Sequence, residues 1–270
     1  MSTVTSAHPP GYWLGTGPTE MEHLLAQAEV YAAEAEELLD RIGLPEGAAA
    51  IDLGCGVQGI LHVLRARVGP AGRVVGLDLE PRMLAAAAAR EPGLETVQAD
   101  ATATGLPAGS FDLVHARTLL LNLTEPEAAV AEMVRLTRPG GTVALQEPDA
   151  SVWMCSPPHP SFETLRAELV EMFPRAGKDF RIGRRVLHLL RDAGLRDVRV
   201  RPTARVTHPG DYYQTFLLAL CRLLREPLLA GGTLTAEQLD HHVALARDHL
   251  TRPDTITCQP VLWQAWGVKP

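Results

Sequence analysis

The chain has 270 residues, 46% of them hydrophobic, enough apolar material to bury a core as one large domain or as a domain carrying a smaller cap, which excludes a disordered polymer. Its 25 basic and 32 acidic residues leave a net charge of −7, which opposes the phosphate attraction that nucleic-acid binding relies on and favours a small, weakly charged or apolar partner. The four cysteines, Cys55, Cys155, Cys221 and Cys258, show neither C-x-x-C pairing nor zinc spacing, so the sequence predicts no metal site and no disulfide framework.

Met1 to Gly11 has no cationic cluster followed by an apolar run, and no later stretch holds about 18 uninterrupted apolar residues. The expected location is therefore cytoplasmic, without membrane insertion. Thr19 to Ile42 carries a long helical pattern. From residue 48 short apolar runs alternate with helical segments. Strands are predicted at Ala48–Leu53, Val74–Asp78, Leu94–Gln98, Phe111–His115 and Thr142–Glu147, and helices at Ile60–Val68, Pro81–Arg90 and Glu125–Leu136. Pro81 and Pro126 sit near first turns, where proline is tolerated. Pro139-Gly140-Gly141 predicts a turn before the fifth strand.

A proline-broken polar stretch, Asp149 to Pro160, precedes a helix at Ser161–Phe173 and reads as an insertion. Helix Arg184–Ala193, stopped by Gly194, leads to a strand at Val198–Val206. Helices follow at Asp211–Arg225 and Thr235–Leu250, and Ile256 to Val268 reads as the last strand. The division expected is an N-terminal helical cap segment at 1–45, a nucleotide-binding core at 46–148, a cap insertion at 149–182, core again at 183–207, a helical insertion at 208–254 and a terminal core strand at 255–270.

Ile51-Asp52-Leu53-Gly54-Cys55-Gly56-Val57-Gln58-Gly59 lies where the first strand turns into a helix, so its glycines permit a tight bend close to a ligand. Asp78, about 24 residues beyond, ends the second strand, where a carboxylate accepts from both ribose hydroxyls of an adenosine. Dinucleotide enzymes share both features. Asp52 separates the two readings, because a carboxylate beside the loop disfavours a pyrophosphate and suits a cationic amino group such as the methionine end of S-adenosylmethionine.

The stretch resembles the first motif of class I S-adenosylmethionine-dependent methyltransferases, D-x-G-x-G-x-G, with Gln58 at the usual third glycine and Gly59 after it. Gln98-Ala99-Asp100-Ala101 resembles the motif whose carboxylate meets the adenine amino group. Phe111 to Arg117 resembles the fourth-strand motif beside the methionine moiety, and Arg138-Pro139-Gly140-Gly141-Thr142 the turn into strand five. The resemblance spans roughly residues 20 to 205 and is nearest to small-molecule enzymes of the quinone-biosynthesis type. It implies an α/β, Rossmann-like three-layer αβα sandwich with a mostly parallel seven-stranded sheet and helical cap insertions. It also implies a cofactor site drawn from Tyr12, Gln27, Asp52, Gly54, Cys55, Gly56, Asp78, Leu79, Met83, Asp100, Ala101, His115, Ala116 and Arg117, with Tyr31 a further candidate.

Each of these residues also has a plain structural reading. Asp78 and Asp52 are placed to cap the following helices. His115 reads equally as a satisfied core histidine and as a ligand or base, and Arg117 as a helix-end partner or a carboxylate partner. Asn122 stands where relatives often have histidine. Methyl transfer requires mainly in-line geometry, and a base only for a protonated acceptor. The base candidates are His159 first, then Glu147, with Asp149 and His208 considered beside them and His115 near the fourth-strand end. The run Phe216 to Leu224 is too hydrophobic for a surface helix, so it either lines an acceptor pocket or joins subunits. His241, His242 and His249 read as a solvated face, and the arginine-rich stretch 181–205 as mostly solvent-facing.

The expected activity is methyl transfer to a small organic acceptor, a secondary metabolite or a quinone- or phenol-like compound, with homo-oligomerisation through the N-terminal or 208–254 helices an option. The alternative kept is a cofactor-binding protein of the same fold that catalyses a non-methylating rearrangement or cyclisation, or only binds. NAD-dependent reduction is disfavoured by Asp52 and by the lack of a Tyr-x-x-x-Lys pair. Nucleic-acid methylation is disfavoured by the charge and by the lack of an Asn-Pro-Pro-Tyr motif.

Overall fold

A computed structural model describes residues 18–270. In chain order the elements are α1 (Pro18–Val30), α2 (Ala32–Ile42), β1 (Ala49–Leu53), α3 (Leu61–Val68), β2 (Arg73–Asp78), α4 (Pro81–Arg90), β3 (Glu95–Gln98), β4 (Phe111–Arg117), α5 (Pro126–Leu136), β5 (Thr137–Asp149), β6 (Met154–Ser156), α6 (Pro160–Arg175), α7 (Val186–Asp192), β7 (Arg196–Thr203), β8 (Val206–Thr207), α8 (Phe216–Leu223), α9 (Arg225–Ala230), α10 (Ala236–Leu250), β9 (Ile256–Cys258) and β10 (Val261–Val268). The main sheet has the order β3-β2-β1-β4-β5-β10-β7. Its first five strands run parallel, and β10 runs against both β5 and β7.

Strand alternation explains the layering. Ala50 and Leu113 face one side of the sheet with Leu38 and Leu39 of α2, Leu61 and Leu64 of α3 and Leu84 of α4. Their neighbours Ile51 and Val114 face the other side, with Val130 and Met133 of α5 and Val186 and Leu190 of α7. Each of these leucine, isoleucine, valine and methionine side chains, once buried, stabilises the fold by roughly 1.5–3 kcal/mol. The result is a Rossmann-like three-layer αβα sandwich. Helices α6, α8 and α10 extend the second cluster through Phe162, Leu217 and Leu239, and a second sheet, β6-β9-β8, lies beside them.

The structure corrects the expected elements in several places. The single helix over 19–42 is two, parted at Tyr31, whose buried ring packs edge-on against Tyr213 at 5.8 Å and under the Arg205 guanidinium at 5.5 Å. The proline-broken stretch 149–160 contains β6, paired with β9. The last strand is divided: Pro260 has no N–H to give a ladder, and the chain crosses there from the small sheet into β10. Likewise 198–206 separates into the end of β7 and the start of β8. Pro139-Gly140-Gly141 lies within the bounds of β5 as an irregularity, since Phe111 pairs with Thr137 but Leu113 with Thr142. The helix expected over 211–225 is a 3₁₀ turn, Tyr212–Thr215, followed by α8 and α9.

A buried polar network ties the small sheet to the helical insertion. Gln259 Nε2 donates to the Tyr213 carbonyl at 2.9 Å and to Thr257 Oγ1 at 2.6 Å, and Gln214 Nε2 donates to the Leu250 carbonyl at 3.1 Å. These bonds satisfy groups that would be costly to bury alone, and they tie the Tyr213 backbone to the small sheet.

Candidate functional site

Strand order reverses between β1 and β4, and in such sheets a crevice opens at the carboxyl ends of the strands around that point. The glycine loop follows β1 there. Gly54 and Gly56 have φ of +68° and +54°, a left-handed backbone that glycine adopts without a Cβ penalty. The Gly56 N–H donates to Asp78 Oδ2 at 2.8 Å, and the other Asp78 oxygen accepts from the Glu80 N–H at 2.9 Å. Asp78 thus couples the loop to the end of β2. Burial raises its carboxyl pKa, against the pull of these backbone donors.

Asp52 lies beneath the loop, 1% exposed. One oxygen accepts from the Ile60 N–H at 3.0 Å, just before α3, and the other is 2.7 Å from His115 Nδ1. The opposite ring nitrogen of His115 is 3.2 Å from Gln146 Oε1. Gly59 explains the departure from the usual motif: with φ of +48°, a Cβ there would collide with Asp52 Oδ2. The third glycine has moved by one residue to accommodate that carboxylate.

Glu147, at the end of β5, is fully buried, and it gathers the N–H groups of Leu119, Leu120 and Leu121 at 3.0, 2.8 and 3.4 Å. Burial pushes its carboxyl up to about 8, against those three donors. It shapes the turn after β4. That turn begins at Thr118, a β-branched residue at φ +51°, a conformation that costs on the order of 1–3 kcal/mol and persists only where its surroundings enforce it. Thr118 Oγ1 donates to Gln27 of α1 at 3.2 Å.

A cavity of about 420 Å³ opens above these strand ends. Its floor is the glycine loop and the ends of β2, β3 and β4; α1 covers it through His23, Leu24 and Gln27; its far part is walled by Phe173, Phe180, Phe216 and Leu220. His23 stacks on Phe216 at 5.1 Å, and burial lowers its pKa to about 4. Arg117 is 6% exposed; Nη2 donates to the Gly59 carbonyl at 3.0 Å while Nη1 is buried without a partner. Burial lowers the pKa of this guanidinium. An unpartnered buried cationic donor on a cavity wall suits a ligand carboxylate.

Of the residues expected at a cofactor site, Gln27, Gly54, Gly56, Asp78, Leu79, Met83, Asp100, Ala101 and Arg117 line this one cavity, and Tyr31 joins them. Asp100 Oδ1 accepts from the Thr102 N–H and hydroxyl at 2.8 and 2.7 Å, which folds the loop after β3. Tyr12 lies outside the described residues. Asp52, Cys55, His115 and Ala116 do not line the cavity. Cys55 faces Gly76 of β2, Ala116 is core, and Asp52 and His115 support the loop from below.

The expected bases are also displaced. Glu147 is occupied by backbone amides. His159 begins α6, accepting from the Ser161 N–H at 3.3 Å and stacking on His249 at 4.6 Å, away from the cavity lining. Asp149 pairs with Arg184 at 2.9 Å. Of the arginines of 181–205, Arg181, Arg184, Arg185, Arg201 and Arg205 are engaged in ion pairs, such as Arg185–Glu127 and Arg201–Glu37. Among the described residues no cluster of His, Cys, Asp and Glu has a metal-binding arrangement. Of the apolar run 216–224, Phe216, Leu220 and Leu224 line the cavity. Thr118 also lines it, directly after β4, and so do His23, Lys178 and Tyr213; these three carry no motif, and only the cap packing brings them to the strand ends.

Strand order, glycine loop and acidic residues ending β2 and following β3 define a Rossmann-like αβα domain with a cavity at its strand ends. Residues 51–145 match the family described as methyltransferase domain. An uncharacterized 37.1 kDa protein in a transposon of Streptomyces fradiae is 31% identical over 194 residues, 70% of this chain and 56% of that protein. Nocamycin O-methyltransferase of Saccharothrix syringae is 39% identical over 125 residues, 44% of this chain and 45% of the relative. Among solved structures, phosphoethanolamine N-methyltransferase 2 of Haemonchus contortus in complex with S-adenosyl-L-methionine shares the fold, with TM-score 0.57, 18% identity and coverage of 93% of this chain and 57% of that one. The chain spans about half the length of these curated relatives. Over residues 51–145 the chain is thus similar to the methyltransferase domain family. Among the described residues no helix is long and apolar enough to cross a membrane.

Proposed function

We propose that the chain transfers a methyl group from S-adenosylmethionine to a small, largely apolar organic acceptor. The observation that carries the reading is one continuous cavity whose lining passes from Asp78 and Asp100, past Gly54, Gly56 and Arg117, to Phe173, Phe180 and Phe216. Its polar end fits a nucleoside with an amino-acid tail, and its apolar end fits an organic acceptor. The unpartnered Nη1 of Arg117 is the fit test for the cofactor: a buried guanidinium has use for a carboxylate, which the methionine end carries.

When bound, the cofactor supplies an electrophilic methyl on a sulfonium. Asp78 would accept from ribose hydroxyls with lone pairs not used by Gly56 and Glu80, Asp100 would mark the adenine end, and the Gly54–Gly56 backbone would lie against the amino-acid tail. Gln27 and Leu24 of α1 would exclude water. Asp52 and His115 act at one remove, holding the loop in shape. Methylation at oxygen finds support in the nocamycin O-methyltransferase likeness.

Calorimetric titration with S-adenosylhomocysteine tests the cofactor half. The expected result is stoichiometric binding by the native chain and at least about tenfold weaker binding by Asp78→Ala. Absence of binding, or equal binding by the variant, would overturn the assignment.

A further inference from the structure

Lys178 lines the cavity and is 6% exposed. Its position is fixed by the backbone. Helix α6 ends at Arg175, Gly177 turns the chain with φ of +69°, the Lys178 N–H donates to the Phe173 carbonyl at 2.9 Å, and the Asp179 N–H donates to the Leu121 carbonyl at 3.3 Å. The lysine lines the cavity together with Phe173 and Phe180, whose rings pack on each other with centroids 4.8 Å apart. Asp179 itself is turned to other partners, accepting from the Arg181 N–H at 2.8 Å and from Arg185 at 3.5 Å. Burial pulls its pKa down to about 8, and a cationic donor on a cavity wall suits a ligand anion. An ammonium has three N–H donors, so it can hold a protein partner and a ligand oxygen together.

We propose that Lys178 defines the acceptor class: an apolar, ring-bearing molecule with an acidic oxygen, a carboxylate, enolate or phenolate, that this ammonium holds in its ionised form. The inference rests on the methyl-transfer reading. It also accounts for the placement of the expected bases. An acceptor already ionised needs none, and His159 and Glu147 are occupied elsewhere. Transfer to that oxygen forms a C–O bond and breaks the S–CH₃ bond, whose electron pair stays on sulfur. Oxyanion and sulfonium become a neutral ether or ester and a neutral thioether, and no proton moves in the step. Phe173, Phe180 and Phe216 would enclose the ring.

Binding of 2-naphthoic acid and of 2-naphthamide, two ligands of one shape that differ in charge, tests the proposal by calorimetry at pH 7. The native chain is expected to prefer the acid by about tenfold or more, Lys178→Met to lose the preference, and Lys178→Arg, which keeps the charge, to retain it. Equal affinity of the native chain for acid and amide would overturn the proposal, as would an undiminished preference in Lys178→Met, and the first of these needs no variant. The titration is read with and without S-adenosylhomocysteine. Failure of the cofactor to bind would sink the methyl-transfer reading, whereas loss of the acid preference with cofactor binding intact would sink only this one.

Discussion

Asp52 and His115 are register partners on β1 and β4, with Oδ1 and Nδ1 2.7 Å apart and both side chains at most 2% exposed. The pair joins the two strands between which the ligand crevice opens, and the second Asp52 oxygen holds the chain at Ile60, ahead of α3. A carboxylate so engaged positions the glycine loop rather than the ligand.

Removing one partner of this buried pair leaves the other without its hydrogen bond. Asp52→Ala should therefore lower the unfolding free energy by roughly 1–3 kcal/mol, measured by urea denaturation, whereas a residue acting only on the ligand would lower affinity and leave stability unchanged. Gly59→Ala should fall in the same class, because its new Cβ meets Asp52 Oδ2.

The carboxylate role of Arg117 is separable from general binding. S-adenosylhomocysteine and 5′-methylthioadenosine share the nucleoside but only the first has a carboxylate. The native chain should prefer the first by about tenfold or more, and Arg117→Met should level the two affinities. An unchanged ratio in a folded variant would assign the unpartnered Nη1 to something else.

His159→Ala should leave methyl-transfer turnover intact across pH and cost about 1 kcal/mol of stability, the usual worth of a helix cap, because the imidazole caps α6 and does not line the cavity. A collapse of kcat with unchanged melting temperature would restore it as a base.

His23 sets a pH dependence whose sign follows from its burial. Its pKa is lowered from 6.5 to about 4, so the unfolded chain binds more protons between those values and stability rises with pH across that window. Below it the histidine is charged in both states and its contribution is gone. Replacing it by phenylalanine, which keeps the stacking on Phe216, should flatten the melting temperature between about pH 4 and 6.5; an identical slope in the variant would refute this.

Much of the core was legible because its signals are local. Pro81 to Arg90 forms the helix expected, with the same bounds, and Asp78, Gly54 and Gly56 reach the cavity because a strand end and a glycine turn fix where they stand. Asp52 was legible as a chemical group but not as a direction: strand alternation and the His115 register turned it under the loop. Lys178, Tyr213 and His23 had no signal, since each reaches the cavity through contacts between distant segments. Tyr31 parts a helix that propensity alone would continue, by a local departure to φ −101° and ψ 13° where its ring packs against Tyr213.

The central claim is tested most directly by incubating the chain with methyl-labelled S-adenosylmethionine and a panel of apolar carboxylic acids, phenols and enols, and reading products by mass spectrometry. The account predicts a product carrying the labelled methyl on oxygen, formed in equal amount with S-adenosylhomocysteine. Binding of an intact cofactor with no labelled product, while an acceptor rearranges or stays unchanged, would contradict it and favour a non-methylating protein of the same fold.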